Sequence, residues 1–138
     1  MDYDIYIAPL EPKADPLDVL FLSSKDLARE IARILKGRVT IDGTDIIFTD
    51  DLKVIEKVLC YFLAVCAIEL VGRRTNAIVT PYELERDTGL LGNSIRPYIK
   101  RLVDHHFVTA YKNSEYKLKL SALYKIEVFL NKGYRRWQ

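Results

Sequence analysis

The sequence predicts an α+β fold, and three observations carry that expectation. Apolar residues recur at helical spacing in several separate stretches. Two pairs of short, β-rich segments flank tight turns. One run of eleven residues, Val58 to Ile68, is uncharged and apolar on every side. At 138 residues the chain is one compact domain, or one small domain with an extension. A chain of this size buries roughly 68% of the surface that its unfolded form exposes, enough for a self-supporting core.

Tyr3 to Ala8 alternates polar and apolar side chains and reads as a strand. Pro9, Pro12 and Pro16 break it into an extended connector, and Leu17 to Leu22 reads as a second short strand or a lead-in. Ser24 offers an N-cap to a helix whose apolar set is Leu27, Ala28, Ile31, Ile34 and Leu35, with Gly37 as its stop. Arg38 to Thr49 reads as a hairpin in which Val39 and Ile41 face Ile46 and Phe48 across Asp42-Gly43.

Thr49 or Asp50 can cap a long helix over about 51–71. Its first half is amphipathic, with Lys53, Glu56 and Lys57 on one side. Continuing that stripe reaches Cys60, Ala64, Ala67 and Val71, small residues that let another helix come close. A helix apolar all round must be covered on every side. The first fifty residues can supply the cover, which is the simpler case. The alternative is a second copy of the chain, in a homodimer formed through Cys60, Ala64, Ala67 and Val71.

Cys60 and Cys66 stand six positions apart on this helix and cannot bridge each other. They read as small core residues in a reducing compartment. With no signal peptide in the opening Met-Asp-Tyr-Asp, the expected location is the cytoplasm. No membrane span is expected either, since Val58–Ile68 falls well short of the roughly 20 apolar residues required.

After a basic turn at Gly72–Asn76, Thr80-Pro-Tyr-Glu83 has the form of a capping box. Thr80 accepts from the Glu83 amide, the Glu83 carboxylate reaches back, and Pro81 takes the first helical position without cost. A short helix through Tyr82 and Leu84 ends at Gly89, which permits the left-handed conformation of a sharp turn. The next helix, 93–104, takes Asn93 or Ser94 as its cap. Ile95, Ile99 and Leu102 form its core face, flanked by Val103. The opposite face carries Asn93, Pro97 and Lys100, with Ser94, Arg96 and Arg101 beside them. With Asn93 as cap, Pro97 is the fourth helical residue and removes one first-turn hydrogen bond. His105-His106 reads as a helix end near the C-terminal partial charge, because no third ligand makes it a metal site.

Phe107 to Lys112 and Glu115 to Leu120 read as strands around Asn113-Ser114. Tyr116, Leu118 and Leu120 alternate with Lys117 and Lys119, giving one buried and one cationic face. A closing helix over 122–132 presents Leu123, Ile126 and Leu130, and 133–138 is a basic-aromatic tail.

Thr88-Gly-Leu-Leu-Gly-Asn-Ser-Ile-Arg96, with Ile99, Leu102 and Phe107-Val108, resembles the helix-turn-helix of winged-helix DNA-binding proteins. That superfamily includes many bacterial and archaeal transcriptional regulators. The resemblance covers about residues 77–120; residues 1–76 resemble no known family. It implies a helix in the major groove led by Asn93, Ser94, Arg96, Pro97 and Lys100, and a wing at Lys112 to Lys117 on the DNA backbone. Thr80, Tyr82, Arg101, Asn113 and Lys119 complete the expected DNA-binding set. Two residues depart from the pattern: His106 stands where the family often has Gly, and Pro97 is uncommon inside a recognition helix. The expected organisation is an N-terminal αβ extension (1–50), a winged-helix domain (51–132) and the tail.

Charge agrees with a polyanionic partner. Residues 1–50 carry six basic and ten acidic side chains, a balance of −4, whereas 51–138 carry fifteen and nine, a balance of +6. The expected partner is therefore double-stranded DNA, and the expected role is a transcriptional regulator. The competing expectation is a scaffold module of a replication, mobile-element or defence complex, in which the winged helix meets protein. A third is non-specific architectural binding, to which Arg135-Arg136-Trp137 of the tail contributes. The sequence offers no Gly-rich phosphate loop and no Ser–His–acid signature. Its densest carboxylates, Asp42, Asp45 and Asp50–Asp51, fall at a hairpin turn and a helix cap, so neither catalysis nor a cofactor or metal is expected.

Overall fold

The computed structural model describes residues 23–132. The expected strand at 3–8, the prolines after it, the segment 17–22 and the tail 133–138 lie outside the described residues. The elements are α1 (Ser24–Leu35), β1 (Val39–Asp42), β2 (Asp45–Phe48), α2 (Val54–Leu70), α3 (Pro81–Thr88), α4 (Gly92–Asp104), β3 (Val108–Tyr111), β4 (Glu115–Leu118) and α5 (Leu123–Lys132). The fold is thus α+β, with five α-helices and two antiparallel hairpins among the described residues.

α1 starts one residue earlier than its sequence suggests. Ser23, not Ser24, is the cap, and its hydroxyl accepts from the Asp26 amide at 3.1 Å. The expected apolar set is buried as a whole. In the first hairpin Val39 and Ile41 face Phe48 and Ile46, as expected, with Val39 opposite Phe48 and Ile41 opposite Ile46. Its turn is Gly43-Thr44 rather than Asp42-Gly43, because Asp42 and Asp45 form the last pair. Gly43 takes the positive φ (67°) that this tight connection needs.

α2 begins at Val54, three residues later than expected, and neither Thr49 nor Asp50 caps it. Thr49 belongs to the hairpin instead: its amide donates to the Arg38 carbonyl at 3.0 Å, five residues before the helix begins. Lys53 is the cap residue, and the Glu56 carboxylate accepts from its amide at 2.9 Å. From Val58 to Ile68 every residue is buried. The helix packs against α1, α3, α4 and strands of both hairpins, and α1 gives it the most extensive cover.

The apolar helix thus finds its cover within one copy of the chain. Cys60 and Ala64 are wholly buried and Ala67 nearly so, within one copy of the chain, while only Val71 of the stripe is exposed. Cys60, Ala64 and Ala67 therefore offer little or no surface to a second subunit. Burial pushes the Cys60 thiol up to about 12 and the Cys66 thiol up to about 11. One cluster of buried side chains runs from Leu27 to Leu130, so the α1–hairpin segment and the rest share a core.

Two buried carboxylates close the seam between α1 and α5. Glu30 and Glu127 are each about nine-tenths or more buried. Arg33 meets Glu127 through two bonds of 2.8 and 2.9 Å and donates from Nε to Glu30 at 2.7 Å. Arg38 then donates to the carbonyls of Ile34 (2.9 Å) and Leu130 (3.1 Å), satisfying the last turns of both helices.

Helices α2 and α4 end in the same way. Arg73 donates to the Ile68 carbonyl and Gly72 to that of Glu69; Phe107 donates to Leu102 and His106 to Val103. This pair of bonds requires a left-handed residue just past the helix. Gly72 fills the place at φ 84° and His106 at φ 64°. His106 therefore holds a side chain in a conformation that costs glycine little and other residues more.

His106→Gly is expected to raise stability by about 0.5–1 kcal/mol in urea unfolding. Gly72→Ala is expected to cost about 1 kcal/mol, although nothing lies within 4 Å of the new Cβ. Equal stabilities across this set would show that the left-handed turns carry no strain. Arg33→Met strands Glu30 and Glu127, and because Arg33 itself is one-third exposed the expected loss is about 2–4 kcal/mol. Arg33→Lys should recover only part of it, since an ammonium cannot form the paired bonds.

Candidate nucleic-acid interface

The candidate interface comprises α3, α4 and the β3–β4 hairpin, and its placement starts with α2. Tyr61 is wholly buried in α2, so its hydroxyl needs a partner. It donates to Asp87 of α3 at 2.5 Å and lies 3.1 Å from Glu83. Burial, then the hydrogen bond to Asp87, pushes its phenol well above the ordinary range. Glu83 takes two bonds from Arg74, at 2.5 and 3.1 Å, and Arg74 also donates to the carbonyls of Asn76 and Ile78. Arg86 holds the Asp87 carboxyl below the usual carboxylate range. These contacts lock the turn after α2 and the whole of α3 onto α2.

The expected capping box at Thr80 is half formed. Thr80 accepts from the Glu83 amide at 3.1 Å. The Glu83 carboxylate does not return to Thr80, because Arg74 and Tyr61 occupy it. Just before the cap, Val79 exchanges two backbone bonds with Tyr116, at 2.8 and 2.9 Å. β4 therefore has partners on both edges, β3 and Val79. Gly89 ends α3 in the left-handed conformation, φ 76°, as its position in the sequence implies.

α4 starts at Gly92, with Leu91 as cap residue; neither Asn93 nor Ser94 caps it. Leu91 has no side-chain acceptor to offer. The acceptor comes from the preceding helix instead: the Glu85 carboxylate takes the Gly92 amide at 2.5 Å. A negative charge there also suits the positive end of the helix. Starting the helix earlier moves Pro97 to its sixth residue, so its missing N–H removes a bond to the Asn93 carbonyl. Asn93 is exposed, and water can serve that carbonyl.

The two faces of α4 divide as the sequence implies. Ile95, Ile99 and Leu102 are at most 1% exposed. Asn93, Ser94, Arg96, Pro97, Lys100 and Arg101 are all exposed. The Arg101 guanidinium lies over the Tyr98 ring, 5.6 Å from its centre, and Lys100 stands 3.4 Å from Asp104 in a solvent-exposed pair of little energetic weight. Tyr82 is 69% exposed near the start of α3, whereas Thr80 is half-buried and spends its acceptor on the cap.

The hairpin lysines do not gather at its tip. Lys112 and Asn113 occupy the three-residue turn, Lys112–Ser114, in which Asn113 and Ser114 both have positive φ. Lys117 pairs with Thr109 in mid-ladder, and Lys119 lies at the base, where its amide bonds to the Phe107 carbonyl. Lys117 also lowers the Cys66 thiol against the larger effect of burial, which puts it within electrostatic reach of α2. All four residues are exposed.

No protein-family model matches the chain, and neither does any curated protein or solved structure.

Arg74, Glu85, Asp87 and Tyr61 have no part in the sequence-derived site. One signal does point to them: a tyrosine in an otherwise apolar helix calls for a buried polar partner. Nothing local says which carboxylate answers. Among the described residues, no helix is long and apolar enough to cross a membrane.

Glu85→Ala should cost about 1 kcal/mol, like the removal of other helix caps. A Cβ at Gly92 would meet the Glu85 carboxylate at 2.9 Å. Gly92→Ala should therefore displace the cap and forfeit most of the roughly 1 kcal/mol that a Gly-to-Ala change brings to a helix. In the Glu85→Ala background the same change should recover that gain. Strict additivity of the two substitutions in thermal unfolding would remove Glu85 from this role.

Proposed function

We propose that the chain is a winged helix-turn-helix protein that reads duplex DNA with α4 and acts as a transcriptional regulator. The order helix, single-residue strand, helix, sharp turn, helix, hairpin supports that reading of α2 through β4. The observation that carries it is the outward face of α4. Arg96, Lys100 and Arg101 stand free of the core beside Asn93 and Ser94, on a helix whose other face is fully buried. Arginine and asparagine match the acceptors and donors of a major groove that admits one helix. Lys112, Asn113, Lys117 and Lys119 extend the positive surface along the hairpin toward the phosphates. Free, buried cysteines suit a reducing compartment such as the cytoplasm.

The test is a duplex selected from random sequence, bound over a range of salt concentrations. Arg96→Ala with Lys100→Ala should weaken binding by at least about tenfold and lower the salt slope by up to about 2, at roughly 0.9 for each phosphate left without its cation. Unchanged affinity and slope would sink the groove helix. A second reading has its own support: Tyr82, Leu91 and Tyr111 are all more than half exposed in the same segment. Aromatic residues of this kind favour protein contacts, so a scaffold module would bind a partner protein and show no salt-dependent affinity for DNA.

A further inference from the structure

A cleft of about 490 Å³ opens between the first hairpin, α2, the turn after it and α3. This size is ordinary for a small-molecule site. Most of its charges are matched within the protein. Arg74 pairs with Glu83, and Arg86 with Asp87. Asp45 and Arg73 differ. Both line the cleft and both are exposed, yet neither side chain has a hydrogen bond or ion pair among the described residues. They come from different elements, β2 and the turn after α2, so a ligand that met both would bridge the two.

The remaining lining restricts what can answer these two charges. Three arginines and three carboxylates border the cleft, so its formal charge is zero. A polyanion such as a nucleotide phosphate would meet Asp45, Glu83 and Asp87. A simple cation would meet the arginines. A molecule with one charge of each sign meets both demands. The half-buried Ile46 adds an apolar patch, with Ile68 and Tyr61 behind it and little or no surface of their own.

We propose that this cleft binds a free amino acid with an aliphatic side chain, its carboxylate on Arg73, its ammonium on Asp45 and its side chain against Ile46. Charge-assisted bonds at both ends give orientation, and the aliphatic contact gives selectivity. Because the ligand would join the hairpin to the turn before α3, it would stabilise the folded chain whether or not α4 meets DNA.

Thermal unfolding with L-leucine, L-isoleucine and L-valine tests the site. At least one should raise Tm by about 5 °C at ten times its Kd. Of its analogues, the amide (no carboxylate) and the deaminated acid (no ammonium) should each bind at least about tenfold more weakly. Arg73→Ala and Asp45→Ala should each abolish the shift while leaving the ligand-free Tm unchanged, since exposed substitutions of this kind are near neutral. No shift with any of the three amino acids overturns the proposal. So does an analogue that binds as tightly as its parent, or a shift that survives both substitutions.

Discussion

From Val58 to Ile68, α2 is buried on every side. Such a helix has no stable position until other elements enclose it, and each major feature of the fold meets part of that need. α1 gives the most extensive cover, both hairpins contribute strands, and α3 and α4 also pack against α2. The helix whose surface faces solvent as a basic array is thus held in place by what its inner face must cover. Ile95, Ile99 and Leu102 serve α2 first, and the outward direction of Arg96 and Lys100 follows geometrically.

Apolar burial alone would leave these helices free to slide or rotate, because hydrophobic contact has little direction. Direction comes from a few polar ties. The Tyr61 hydroxyl fixes α3 against α2 through Asp87, while Arg74 holds Glu83 and the backbone of the turn. Arg33 does the equivalent between α1 and α5. In each tie a buried group would be left unsatisfied by any other register, so the alternatives are disfavoured more strongly than the native contact is favoured.

What the sequence makes legible divides along the same line. Periodic burial depends on spacing, and the faces of α1 and α4 are readable from it, whereas the register of the first hairpin follows from a turn one residue later than the expected one. Element ends depend on which partner wins. Thr49 looks like a cap for α2 but ends the hairpin, and Ser23 takes the cap that Ser24 also resembles. Glu83 has capping-box spacing but is claimed by Arg74, nine positions earlier. Val79 is a strand of one residue and has no periodicity to detect. The stripe of Cys60, Ala64 and Ala67 announces a close neighbour, and only the fold says that its cover comes from the same chain.

The start of α4 brings these themes together beside its exposed basic face. Gly92, Asn93, Ser94 and Pro97 are poor helix formers, and Leu91 offers no side-chain cap. Left to local preference, these two turns would not persist in water. Two external supports hold them: the core contacts of Ile95 and Ile99, and the Glu85 carboxylate on the Gly92 amide. Glu85 belongs to α3, whose position is fixed by Tyr61 of α2. The conformation of Asn93, Ser94 and Arg96 is therefore set from the buried helix outward, through one tyrosine, one short helix and one carboxylate. A change at Tyr61, remote from the exposed face, would act on that face through this chain of contacts, whereas a change at Lys112 in the hairpin turn would leave it as it is.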